Sequence, residues 1–155
     1  MIAVYLREII FGFEESFVST LGTITGVAAG SGNSDIVILS GSVLIVVEAI
    51  SMAAGTYLSS KTAEEVEEMH AHPKTHAEEH PIVAAIVMLF SYLVGGVFPL
   101  LPYLFLSVEQ ALWPSVILTF ILLFILGAWK TRFTKRSWWR SGVEMVIVCA
   151  VAAGI

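Results

Sequence analysis

Carboxylates stand inside apolar stretches of this chain, where hydrocarbon would exclude them: Glu14 and Glu15 in FGFEESFVST, and Glu48 in DIVILSGSVLIVVEAISMAAG. Glu48 lies near the middle of its stretch. An ionised carboxylate at that depth is costly, so it carries a proton or sits beside a cation. Both conditions suit a site that trades hydrogen ions for a metal ion, and a protonated Glu48 bonded to a neighbouring helix is the purely structural alternative. Met52 follows Glu48 by four residues, one turn of a helix. A methionine alone would be core filler. Beside a carboxylate it becomes a candidate thioether ligand, and that mixed donor set suits Fe²⁺ better than Mg²⁺ or Ca²⁺, which prefer oxygen shells.

A second concentration of ligand types is KTAEEVEEMHAHPKTHAEEH, residues 61–80, which holds every histidine of the chain together with Met69. If the preceding helix continues into it, Glu64 and Glu68 share a face, as do Glu65 and Met69; after Pro73, His76 and His80 do too, with Glu79 alongside. Such pairs can chelate a divalent ion. No zinc-finger spacing is present, and a segment of this composition can equally be a solvated connection. Even a loose cluster would draw cations to its end of the molecule.

The elements that must position these residues are membrane helices. Apolar runs near 11–30, 36–58, 82–106, 113–129 and 141–155 have the length, about 20 residues, that a helix needs to cross a bilayer core. With 57% hydrophobic and 14% charged residues in 155, a soluble domain could not hide so much apolar surface. All eight Lys and Arg residues fall before the first run or in the connections 59–81 and 130–140, whereas 31–35 and 107–112 carry only Asp35 and Glu109. By the positive-inside rule the N-terminus is cytoplasmic. The expected fold is an all-α polytopic membrane protein with five transmembrane helices, and a net charge of −5 gives no reason to expect a nucleic-acid partner. Glu14 and Glu15 break what would be the apolar region of a cleaved signal, so the first segment reads as a retained span.

Faces follow from about 100° per residue. Gly22, Gly26 and Gly30 recur every four residues, a stripe that lets another helix approach closely in lipid and suggests a homodimer. Glu15 lies seven positions before Gly22 and so on the same stripe, facing protein. Glu14 points elsewhere, either toward cytoplasmic headgroups or into the path. Gly41, Glu48, Met52 and Gly55 share one face of the second span. The third span contains Gly95, Gly96, Pro99 and Pro102, which predicts a kink or break, either a gate or a feature of shape. Trp113, Trp138 and Trp139 stand at span borders, the usual place for headgroup anchors. Cys149 reads as a packing residue and Glu144 as a partner for Arg140.

FGFEESFVSTLGTITGVAAG followed by SMAAGTYLSSK resembles the vacuolar iron transporter family, whose members carry an acidic residue and then VST in the first span and SMAxGxYxS at the end of the second. GGVFPLLPYLF and RSGVEMVIVCAVAAGI resemble its prokaryotic members, so the likeness covers nearly the whole chain and implies a cell-membrane location. The resemblance implies a five-helix homodimer that moves Fe²⁺, often Mn²⁺ as well, out of the cytosol in exchange for protons along the dimer interface. By motif, the family's first-span carboxylate falls on Glu15 and its second-span methionine on Met52. The usual Asp-Gly is Glu15-Ser16 here, and the connection between spans two and three is far shorter than the helical cytoplasmic domain of plant members. The fifth segment stops 15 residues after Arg140, a length consistent with a truncated chain.

Residues and resemblance together predict a proton-coupled exporter of divalent metal with no enzymatic activity and no resident cofactor. Ions would collect at the Glu/His cluster and pass to Glu15, and to Glu48 with Met52. A membrane-embedded metal sensor or storage partner is the alternative from another class. An iron-oxidising enzyme ranks last, because di-iron centres use paired Glu-x-x-His motifs and only Glu67–His70 has that spacing.

Overall fold

The computed structural model describes residues 4–69, 80–134 and 136–152, and not the side chains of Glu67, Glu68 and Ala152. Among the described residues every regular element is helical: α1 Leu6–Ser31, α2 Ser34–Met69, α3 Pro81–Phe105, α4 Val108–Trp129, the single turn α5 Thr131–Thr134, and α6 Trp138–Ala152.

Local chemistry sets the helix ends. Gly32 takes φ 59°, ψ 15°, a left-handed conformation that glycine adopts without steric cost, and its N–H bonds to Ala28 O to close α1. One residue later the Asn33 side chain accepts the N–H of Asp35 at 2.8 Å and so opens α2. Two residues therefore reverse the chain, and α1 and α2 lie side by side. Pro81, with its fixed φ and no N–H to lose, begins α3.

α3 runs as one helix from Pro81 to Phe105, through Pro99 and Pro102, so of the kink or break expected from those prolines the break does not occur. α3 is held on several sides: it lies against α1, α2 and α4, and the Ser115 hydroxyl of α4 donates to Pro99 O at 2.6 Å. The neighbouring glycines serve two contacts at once. A Cβ on Gly95 would collide with Ser16 of α1, and one on Gly96 would lie 2.6 Å from Ile45 Cγ1 of α2. Having no side chain there, α3 seats between both partners.

Two buried clusters result. Ile24, Ala28, Val37, Ile45, Leu100 and Tyr103 join α1, α2 and α3 near the Gly32 turn. Phe17, Leu123, Met145 and Cys149 join α1, α4 and α6. Outside them the surface is apolar: Leu39, Val43, Val47 and Ile50 on α2, Phe90 and Val94 on α3, and Ile117, Ile121 and Ile125 on α4 are all exposed. Water would oppose such a surface and hydrocarbon accepts it. Ser34–Val66, Pro81–Phe105 and Val108–Thr134 are each long and apolar enough to cross a bilayer. The protein is an integral, multi-pass membrane protein. Trp113, Trp138 and Trp139 are exposed, and the last two pack edge-on against Phe124. Among the described residues Glu144 pairs with Arg136 at 3.7 Å rather than with Arg140.

Candidate functional site

The polar centre of the bundle lies where α1, α2 and α3 meet. Tyr92 of α3, fully buried, donates from its hydroxyl to Glu48 Oε2 at 3.0 Å and shares a 2.5 Å hydrogen bond with Ser19 Oγ of α1. With Tyr92 donating to Glu48, the Ser19 hydroxyl supplies the other proton, and a continuous chain runs Ser19, Tyr92, Glu48. If Glu48 carries a proton, the same three oxygens can bond in the opposite sense. Glu15 stands one turn before Ser19 on α1, half-buried and within electrostatic reach of both Glu48 and Glu14. Two carboxylates thus stand on adjacent helices of an apolar bundle, Glu15 on α1 and Glu48 on α2.

Glu14 turns away from that pair. Its Oε1 accepts a weak hydrogen bond from the buried Cys149 thiol of α6 at 3.6 Å. Met52, one turn after Glu48 on α2, is half-buried and lines a cavity of about 620 Å³ together with Glu8, Ser51, Thr56 and Met88. The second helix does continue past its apolar run, reaching Met69. On that extension Glu64, Glu65 and Met69 are exposed, and Glu65 lies 3.9 Å from Lys61. Glu68's side chain, His76 and Glu79 lie outside the described residues. His80 caps α3, its backbone N–H donating to the Tyr5 hydroxyl at 3.2 Å. Among the described residues, no three His, Cys, Asp or Glu side chains converge closely enough to hold a metal ion. Gly22, Gly26 and Gly30 are exposed, and a Cβ on any of them would meet nothing within 4 Å.

Sequence reasoning missed Ser19, Tyr92, Glu8 and Met88. Two of them carried a signal. Ser19 falls four residues after Glu15, and Glu8 seven before it, both on the stripe that the same helical arithmetic defines. Tyr92 and Met88 had none, since an aromatic or a methionine in an apolar run reads as packing.

A helical bundle whose outer surface suits hydrocarbon defines the class: a polytopic membrane protein. The chain matches the model of the VIT family over residues 6–76 and 66–155, and it belongs to that family. It is similar to vacuolar iron transporter 1 of Oryza sativa subsp. japonica, 26% identical over 96% of this chain and 81% of the rice protein. The same-named protein of Arabidopsis thaliana is likewise 26% identical, over 96% of this chain and 82% of its own length. Protein CCC1 of Saccharomyces cerevisiae is 39% identical over half of this chain and 26% of the yeast protein. The rice alignment spans 204 positions against a chain of 155, so the rice protein carries residues with no counterpart here.

Proposed function

We propose that this protein is a divalent metal transporter that moves Fe²⁺, with Mn²⁺ as a second cargo, out of the cytosol in exchange for protons. The observation that carries the reading is the Glu15 and Glu48 pair, two carboxylates on adjacent helices inside a lipid-embedded bundle. Two such groups cannot both stay ionised and unaccompanied in a low-dielectric bundle. An arriving divalent ion supplies the missing positive charge and displaces protons; protons arriving from the other side displace the ion and reset the pair. Relatives named as iron transporters support iron as cargo.

In this reading the chain crosses the bilayer five times from a cytoplasmic N-terminus, with spans about 11–30, 36–58, 82–106, 113–129 and 141–155. Two copies pair through Gly22, Gly26 and Gly30, whose open face supports a helix-to-helix approach in lipid. Glu15 sits at the edge of that face, and Glu14 flanks it.

Purified protein in liposomes, loaded with an internal pH dye and offered Fe²⁺, Mn²⁺, Co²⁺ and Zn²⁺ in turn, tests the proposal. Metal uptake should be accompanied by proton movement in the opposite direction, and Glu15→Gln or Glu48→Gln should abolish both. Uptake by the two variants at the parent rate would overturn the assignment.

A further inference from the structure

An apolar groove of about 530 Å³ runs between α3 and α4, with α1 as its floor. The floor extends from Ile9 to Phe17, and the walls from Val94 to Phe98 on α3 and from Leu122 to Trp129 on α4. Every lining side chain is apolar. Phe17 is buried at the bottom, whereas Val94 and Ile125 stand exposed on the two rims. The eight residue steps from Ile9 to Phe17 rise about 12 Å, close to the depth of hydrocarbon in one leaflet of a bilayer whose core is about 30 Å thick. A groove of that length and lining suits an acyl chain.

One end of the groove is basic. Ile9 lies in the first turn of α1 and Trp129 ends α4, so the mouth opens where the connection to α6 begins. Trp129 and Phe133 pack edge-on with ring centroids 5.4 Å apart, which holds the turn α5, and Arg132 with it, beside that mouth. Residues 130–140 include Lys130, Arg132, Lys135, Arg136 and Arg140 and no carboxylate. Among the described residues, Arg136 is the member of this group paired with a carboxylate, Glu144, while Arg132 and Arg140 stand exposed. Basic residues clustered where a span leaves the membrane attract anionic headgroups.

We propose that this groove is the binding site of an anionic phospholipid, with one acyl chain laid along Phe13 and Phe17 and the phosphate held at Arg132. Charge selects the occupant. A zwitterionic lipid would bring its own ammonium toward the basic connection, and a helix of a second copy would fill the groove without answering Arg132. The glycine stripe is a different surface: Gly26 stands nine positions after Phe17, about 180° around α1 at 100° per residue, so a copy docked there leaves the groove open to lipid. Phe13 and Phe17 bracket Glu14 and Glu15 on α1, and a chain packed against both rings fixes how far the helix carrying those carboxylates can roll. The inference rests on the membrane-embedded bundle and not on the identity of the cargo.

Native mass spectrometry of the full-length protein in detergent, with dioleoyl phosphatidylglycerol or dioleoyl phosphatidylcholine added in turn, tests this. One phosphatidylglycerol per protomer should be retained at least about fivefold more tightly than phosphatidylcholine, the factor contributed by a single Lys or Arg at the membrane surface. Arg132→Gln should remove that preference while leaving the weaker, headgroup-independent binding in place. Ile125→Trp, which fills the groove from its exposed rim and alters no charge, should lose the retained lipid of either kind. The parent protein alone is already decisive, because equal retention of the two lipids would mean an ordinary annular shell and overturn the site. Preferential retention that survives Ile125→Trp would place the lipid elsewhere and overturn it too. A change of oligomeric state in Ile125→Trp with lipid retention unaltered would assign the groove to a second copy instead. Metal uptake enters none of these readouts, so the lipid site and the transport reading stand or fall separately.

Discussion

Tyr92 on α3 holds Glu48 on α2 through a 3.0 Å hydrogen bond while its hydroxyl also meets Ser19 on α1. One phenol thus ties the three helices of the central layer together at the carboxylate. The arrangement fixes where Glu48 can point, and it gives that carboxylate a donor at a depth where water is scarce.

Replacing Tyr92 by Phe keeps the ring in its buried slot and removes only the hydroxyl. Glu48 then loses its donor and Ser19 loses its partner. Metal uptake in liposomes should fall about tenfold, the equivalent of roughly 1.4 kcal/mol and within the range for a hydrogen bond to a charged group. Thermal stability in detergent should drop by only about 1 kcal/mol, because helix-to-helix hydrogen bonds in membranes contribute little on average. Uptake at the parent rate would show that Tyr92 packs without positioning Glu48.

Glycines on two faces of the bundle should respond oppositely to alanine. At Gly96 the added methyl meets Ile45 at 2.6 Å, and at Gly127 it meets the backbone of α6, Ser141 O at 2.7 Å, which cannot rotate away. Gly96→Ala and Gly127→Ala should each cost about 1–3 kcal/mol by overpacking, with Gly127→Ala the worse. At Gly26 nothing stands within 4 Å, so Gly26→Ala should leave the melting temperature of the protomer unchanged or raised. Melting curves of the three variants in one detergent decide the order.

The same open face makes a separate prediction about assembly. Gly26→Leu puts a bulky side chain on the stripe, at a position where an added Cβ meets nothing within 4 Å in the protomer. If two copies meet there, the variant should run as a monomer at concentrations where the parent is a dimer, with its helical content intact. Light scattering coupled to size exclusion reads the difference directly, and a dimer that survives Gly26→Leu would move the interface elsewhere.

Legibility followed the physics of each signal. The helices were readable because apolar length and Lys/Arg placement are coarse, cumulative signals, and Glu15 and Glu48 were readable because a charge in an apolar run stands out. What α3 does could not be read from the prolines alone: whether Pro99 breaks a helix depends on the helices packed around it, here α1, α2 and α4, which only the tertiary structure supplies. Met52 and Glu48 share a helix face in the sequence, but that Tyr92 of α3 would donate to Glu48, and that Met52 would line a cavity with Glu8 and Met88, had no signal there. Helical periodicity gives a residue's direction on its own helix and says nothing of which neighbour stands there.

Cys149 provides a check on the packing of α6. Its thiol is 2% exposed and directed at Glu14 across the α1 and α6 contact. A polar maleimide should label it slowly in the folded protein and rapidly after denaturation. Fast labelling of the native protein would mean that α6 does not close over Glu14 as described.

The exposed end of α2 should act on affinity through its field rather than through ligation. Glu64 and Glu65 are solvent-exposed, and Glu65 is partly answered by Lys61 at 3.9 Å, so neither is held in a geometry that binds an ion tightly. Their charge nevertheless raises the local concentration of cations at that end of the bundle. Glu64→Gln with Glu65→Gln should therefore raise the KM for Fe²⁺ uptake about two- to fivefold at low salt while the rate at saturating metal holds, and Glu64 should carry most of the effect because Lys61 already offsets Glu65. Salt provides the decisive control. The Debye length shrinks from about 10 Å at 0.1 M to about 3 Å at 1 M, so the difference between variant and parent should collapse as the ionic strength rises. A KM difference that persists at high salt would mean instead that these carboxylates touch the ion.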